Sequence, residues 1–119
     1  MIVTIDGPAG AGKSTVARQL ARRLNIRFLD TGAMYRAFAW KALRDRADLT
    51  SEPALAALIR ASRLEMPADR IVLDGQDITD RIRAPEITDA ASRISTLPEV
   101  RAELVRLQRE IGRRESLVT

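Results

Sequence analysis

Cysteine and histidine are both absent from this 119-residue chain. The first absence excludes disulfides and thiolate metal sites. The second removes the commonest acid–base side chain and the commonest transition-metal ligand. Aromatics are scarce as well, at 3% of residues, so a core supported by 45% hydrophobic content has to be built from Leu, Ile, Val and Ala. No apolar run approaches the ~20 residues that cross a bilayer. The N-terminus enters a strand-like segment at once, without a signal or transit pattern. No membrane partner and a cytoplasmic location are therefore expected. Lysine is nearly missing: eighteen of the 20 basic residues are Arg, leaving only Lys13 and Lys41. The arginines are dispersed among acids, with no basic run or aromatic platform, so the net charge of +4 does not point to a nucleic-acid partner. Asp, Arg, Lys and hydroxyls working with a hard cation remain, which is the inventory of phosphoryl transfer.

Against that background one stretch stands out. Gly7-Pro8-Ala9-Gly10-Ala11-Gly12-Lys13-Ser14 fits the phosphate-loop pattern G-x-x-x-x-G-K-[ST] at every fixed position. It lies where that pattern has meaning, between the apolar run at residues 2–5 and a helical pattern from Ser14 to about Asn25. Glycines let backbone N–H groups converge on a phosphate, and the helix N-terminus behind them adds partial positive charge. Lys13 brings a full charge to the outer phosphates of ATP, and Ser14 offers a hydroxyl to Mg²⁺. Residues Gly7 to Thr15 are thus the expected ATP-binding loop.

Hydrophobic patterning organises the rest. Val16, Leu20 and Leu24, with Ala17 and Ala21 beside them, form a core-facing stripe, and Arg18, Arg22 and Arg23 fall mainly opposite. Residues 27–30 read as a second strand, giving a βαβ unit. Thr31-Gly32 turns into a helix over about 33–46. Ser51-Glu52-Pro53 opens another, to about Ser62, with Leu55, Leu58 and Ile59 inward. Residues 63–79, with the hairpin signal Asp74-Gly75, read as a small antiparallel sheet inserted into the parallel core. Helices follow over about 85–95 and 98–112. Val100, Leu104, Leu107 and Ile111 share one face of the second, and Leu117-Val118-Thr119 looks like the start of a strand.

Taken together, residues 5–15 and Leu29-Asp30-Thr31-Gly32-Ala33-Met34-Tyr35-Arg36 resemble bacterial cytidylate kinase. So do Asp74-Gly75-Gln76-Asp77-Ile78, residues 82–87, residues 90–95 and Pro98-Glu99-Val100-Arg101. The likeness runs the length of the chain. It implies an α/β fold of the P-loop nucleoside monophosphate kinase type, truncated, with a parallel sheet core and a small antiparallel NMP-binding insertion. It divides the chain into a P-loop core at 1–36, an NMP-binding region at 37–97 and a return helix with the next core strand at 98–119. The implied activity is transfer of the ATP γ-phosphoryl group to CMP or dCMP, with ATP and Mg²⁺ required and the full enzyme a monomer. Alternatives within reach of the phosphate loop are another small-molecule P-loop kinase, such as a shikimate or dephospho-coenzyme A kinase, and a non-catalytic nucleotide-binding module.

The resemblance also distributes roles. Lys13 and Arg36 would be catalytic, with the Arg36 guanidinium clamping the acceptor phosphate through two oxygens. Asp30, Thr31, Tyr35, Arg36, Ser92 and Arg101 would bind CMP. Arg101 can only donate, which suits N3 or O2 of cytosine, while Ser92 can accept from N4. Asp6 is a candidate for loop tethering or for contact with the metal shell. Family members continue past the equivalent of Thr119 with a Gly-Arg-Asp segment, further strands and a lid. The chain is therefore expected to be an N-terminal portion. In this architecture the third strand lies between the first two, so the chain is expected to lack the piece that joins them, to fold poorly alone and to have negligible kinase activity.

Overall fold

The computed structural model describes residues 2–3, 13–24, 27–114 and 117–118. The chain divides into two compact units, residues 1–31 with 105–119, and residues 32–104.

The first unit holds a parallel sheet of three short strands, β1 (Ile2–Val3), β2 (Arg27–Phe28) and β6 (Leu117–Val118), in the order β1-β6-β2. Leu117 stands between Ile2 and Arg27, and Val118 between Val3 and Phe28. The expectation that β1 and β2 are left unjoined is corrected here. Successive residues of a central strand turn their N–H and C=O groups to alternate neighbours, so a strand between two others bonds to both.

Helix α1 (Lys13–Leu24) packs on β2 and β6. Ala21 is buried, whereas Val16, assigned to the inward stripe, is 51% exposed. Arg18, Arg22 and Arg23 are exposed, as the pattern requires.

The second unit starts with most of α2 (Thr31–Arg44). Its inner face is built of small residues, Ala33, Ala37, Ala39 and Ala42, around Met34 and Phe38. Small side chains let neighbouring elements approach this helix closely. The helix ends in a Schellman arrangement, with Ala47 N–H donating to Ala42 O at 2.8 Å and Arg46 N–H to Leu43 O at 3.2 Å. Arg46 occupies the left-handed position at φ 55° that such an ending demands.

Helix α3 (Glu52–Arg60) begins as its sequence dictates. Ser51 Oγ accepts from Ala54 N–H, and Pro53 lies in the first turn, where a missing N–H is harmless. Leu55 and Ile59 are buried and Leu58 is half-buried.

The antiparallel sheet comprises β3 (Leu64–Glu65), β4 (Val72–Leu73) and β5 (Gln76–Asp77), in sequential order. Leu73 faces Gln76 across the two-residue turn Asp74-Gly75. Both turn residues have positive φ, 51° and 81°, as a type I′ hairpin turn needs. A 3-10 turn at Arg81–Arg83, not anticipated from the sequence, buries Ile82. It leads to α4 (Pro85–Ile94), which has proline at its start, and α5 (Pro98–Arg114). Leu55, Ile59, Leu73, Ile78, Ile94, Val100 and Leu104 are sealed from solvent with Phe38 and Met34. This is an aliphatic core with one phenyl ring, as the composition requires.

Candidate functional site

The phosphate-loop residues Gly7, Pro8, Ala9, Gly10, Ala11 and Gly12, and Asp6 before them, lie outside the described residues. Lys13, Ser14 and Thr15 form the first turn of α1. The described helix thus includes the last two residues of the loop pattern, Lys13 and Ser14. The first turns of α1 and α2 contain no acid, whereas α3, α4 and α5 carry Glu52, Glu86 and Glu99 there. A carboxylate in the first turn competes with a phosphate for the same positive helix end. The two helices that sequence reasoning assigned to phosphates are the two without one. Asp30 stands immediately before α2.

Of the residues expected at the acceptor site, Thr31, Tyr35 and Arg36 lie on α2. Thr31 opens the helix, and Tyr35 and Arg36 follow one turn later, all half-buried, as is Asp30. Burial pushes the Tyr35 phenol above its usual range, and the positive charge of Arg101 on α5 opposes that shift. Both residues belong to the unit of residues 32–104. Ser92 is exposed on α4 and opens on a shallow groove of about 500 Å³, shared with Leu49, Thr50, Arg93, Thr96 and Leu97. Arg101 is not among the groove's lining residues. Ser92 and Arg101 thus do not share that groove. The last turn of α4 is closed by its own hydroxyls: Ser95 Oγ donates to Ser92 O at 2.9 Å and Thr96 Oγ1 to Arg93 O at 2.8 Å.

Two polar devices went unread in the sequence. The first centres on Lys41, a buried cation whose Nζ donates to Asp74 Oδ2 at 2.6 Å and to Ser62 Oγ at 2.7 Å. Ser62 Oγ passes a hydrogen bond to Leu58 O at 2.6 Å, and Asp74 Oδ1 accepts from Arg63 N–H at 2.9 Å. One ammonium group thus ties the hairpin turn and the end of α3 to α2. Burial raises the Asp74 carboxyl. Hydrogen bonds from Lys41 and Arg63 N–H, with the charges of Lys41 and Arg44, outweigh it and hold the group below the usual carboxylate range. The available signal was the scarcity of lysine: an arginine-rich chain that uses lysine twice places one in the phosphate loop and one here. The compact ammonium suits a closed three-way junction better than a forked guanidinium.

The second device joins α3 to α5. Glu52 Oε1 accepts from Glu99 N–H at 3.1 Å, and Arg60 Nη1 donates to Glu103 Oε1 at 2.8 Å. From the sequence, Glu52 is an early acid serving its own helix. In the structure it accepts from the first turn of a different one.

A strand, a phosphate-loop sequence and a helix returning to a parallel strand make the pattern of a P-loop α/β protein. The cytidylate kinase family profile matches residues 3–119, and the chain belongs to that family. It is 48% identical over 118 residues to the cytidylate kinase of Solibacter usitatus, covering 99% of this chain and 51% of that one. It is 49% identical over 111 residues to the cytidylate kinase of Desulfitobacterium hafniense, covering 91% of this chain and 48% of the relative. A bifunctional pantoate ligase/cytidylate kinase from Synechococcus sp. (strain WH7803) is 45% identical over 122 residues, which cover 98% of this chain and 25% of that protein. The chain spans about half the length of the cytidylate kinases it matches.

Proposed function

We propose that the full product of this reading frame transfers the γ-phosphoryl group of ATP to CMP or dCMP, giving ADP and the cytidine diphosphate. The observation that carries this reading is family membership along the whole chain, with the phosphate loop intact in sequence. Gly7 to Thr15 wrap the donor phosphates, and Lys13 offsets the negative charge that moves from γ-phosphoryl to leaving oxygen. Residues 37–97 with the antiparallel sheet form the acceptor region. Arg36 holds the α-phosphate of the acceptor in line with the donor, and Asp30 and Thr31 flank it at the start of α2. Tyr35 lies against the nucleotide, and Arg101 and Ser92 read the cytosine edge.

The described residues contain no cluster of three acidic, His or Cys side chains fit to hold a metal ion. Mg²⁺ carried by a nucleotide needs none, because phosphate oxygens and water complete its octahedron around one or two protein oxygens. Ser14 in the first turn of α1 supplies a hard hydroxyl oxygen of that kind. Bound there, Mg²⁺ contributes charge neutralisation at the β- and γ-phosphates. No general base is assigned, since the attacking group is already an anionic phosphate oxygen, and the residues' work is alignment and charge compensation.

The test is a comparison of CMP, UMP, AMP and shikimate as acceptors with ATP–Mg²⁺. CMP is expected to give the highest kcat/KM. A higher value for any other acceptor overturns the assignment.

A further inference from the structure

Resting on the kinase reading above, we infer that α3 is a positioning strut for Arg101, and that Glu52 and Arg60 are positioning residues for cytosine recognition. The two ties from α3 reach α5 at Glu99 and at Glu103. These positions lie one turn apart, and Arg101 lies midway between them. At 100° per residue, positions two before and two after Arg101 fall on the opposite side of the helix from it. Arg60 therefore grips the side of α5 opposite Arg101, through Glu103, while Glu52 holds the end of the same first turn through the Glu99 N–H.

The grip acts at the two levels that fix a helix start. Glu52 satisfies a first-turn N–H that has no partner within its own helix and places negative charge at the positive helix end. Arg60 fixes the rotation of the helix through Glu103, whose side chain is only 13% exposed. Val100 and Leu104, both fully buried, hold a third side of the same turns, so the strut adds to a packed face and need not hold the helix alone. Guanidinium recognition of a base edge depends on angle, so a loosened α5 start loses cytosine contacts before it loses the fold.

The experiment uses the full product of the reading frame, with Glu52→Ala, Glu52→Gln and Arg60→Ala. The Arg60 side chain is 56% exposed, so its truncation leaves the protein folded, and a thermal melt verifies this for every variant. Expected are a rise in the KM for CMP of roughly fivefold or more in Glu52→Ala and Arg60→Ala, the scale of one weakened charge-assisted hydrogen bond, and a narrowed preference for CMP over UMP. The KM for ATP stays unchanged. Glu52→Gln, which keeps an oxygen facing Glu99 N–H, restores most of the CMP affinity. Folded alanine variants with a wild-type KM for CMP and unchanged CMP/UMP preference overturn the inference alone. Equal rises in the KM for CMP and ATP overturn it too, by showing a general structural role. Wild-type protein that phosphorylates no CMP overturns the kinase reading and this inference with it.

Discussion

Replacing Lys41 by Met tests whether one buried ammonium holds the antiparallel insertion to α2. Methionine retains most of the aliphatic stem and removes the charge and its donors. Asp74 Oδ2 and Ser62 Oγ then both lose the group they meet at 2.6 and 2.7 Å. Breaking a fully buried pair from one side costs about 3–5 kcal/mol, and exposed pairs contribute about 0–1 kcal/mol. The Lys41 side chain is 10% exposed and that of Asp74 33%, so water rehydrates part of the orphaned carboxylate. A loss of about 2–3 kcal/mol lies between those limits. Trp40 is the only tryptophan and sits on α2 beside Lys41, so its fluorescence in urea reports on this unit. With a slope of about 1–3 kcal/mol per molar urea, the midpoint falls by about 0.7–3 M. Asp74→Asn preserves the hairpin, since Asn-Gly also favours a type I′ turn, and removes the charge from the other side. In the double variant Lys41→Met/Asp74→Asn, neither charge is stranded. The two losses should fail to add by about 1 kcal/mol or more. A midpoint shift below about 0.3 M, or strictly additive losses, refutes the junction as a source of stability.

Other outcomes follow from single features. Arg46→Gly and Ala68→Gly relieve non-glycine residues at φ 55° and 50°, and each should raise stability by about 0.5–1 kcal/mol in the same titration; unchanged or lower stability would contradict the backbone argument. Asp77 is held at about 2 by the Thr79 hydroxyl, the Thr79 N–H and Arg70. Asp74 is also lowered, despite its burial. Carboxyls depressed in the folded state stabilise fully above their unfolded pKa, so the melting temperature should drop as pH falls from about 4 toward about 2. Asp77→Asn should flatten part of that slope, and an identical acid profile would remove Asp77 from the account. Lys13→Ala should lower turnover by roughly a thousandfold or more, as loss of a charge facing the transferring group does. Arg36→Ala should act mainly on the KM for CMP, and equal tolerance of both changes would contradict the assigned roles.

Most of the chain's local structure was legible because short-range chemistry decides it. Ser51 and Pro53 announce the start of α3, Pro85 and Pro98 the starts of α4 and α5, and Asp74-Gly75 the hairpin turn. Each of these residues acts on its own backbone within a few positions. What escaped was decided at a distance. Val16 fits the periodicity of a buried stripe but lies on a part of α1 left open to solvent. Glu52 reads as an acid for its own helix, yet its carboxylate reaches α5, 47 residues away. Lys41 meets Asp74 across 33 residues, a pairing that no helical or strand period encodes. Only the excess of arginine over lysine marked Lys41 as unusual. The pairing of Leu117 and Val118 with both β1 and β2 shows the same limit, since both partners are remote in sequence. For the site, the sequence points to each residue but not to their setting, in which Ser92 opens on a groove that Arg101 does not line.

The central claim is that a phosphate-loop core and a cytosine-reading acceptor region work as one kinase. Its most direct test is a calorimetric titration of the full product of the reading frame with CMP, alongside UMP and the Arg36→Ala variant. The account predicts saturable binding of one CMP per chain, weaker binding of UMP, and CMP affinity reduced about tenfold or more in Arg36→Ala, as befits a lost charge-assisted contact to phosphate. Protein that binds ATP but gives no heat with CMP would contradict it and mark the chain as a nucleotide-binding module without an acceptor site.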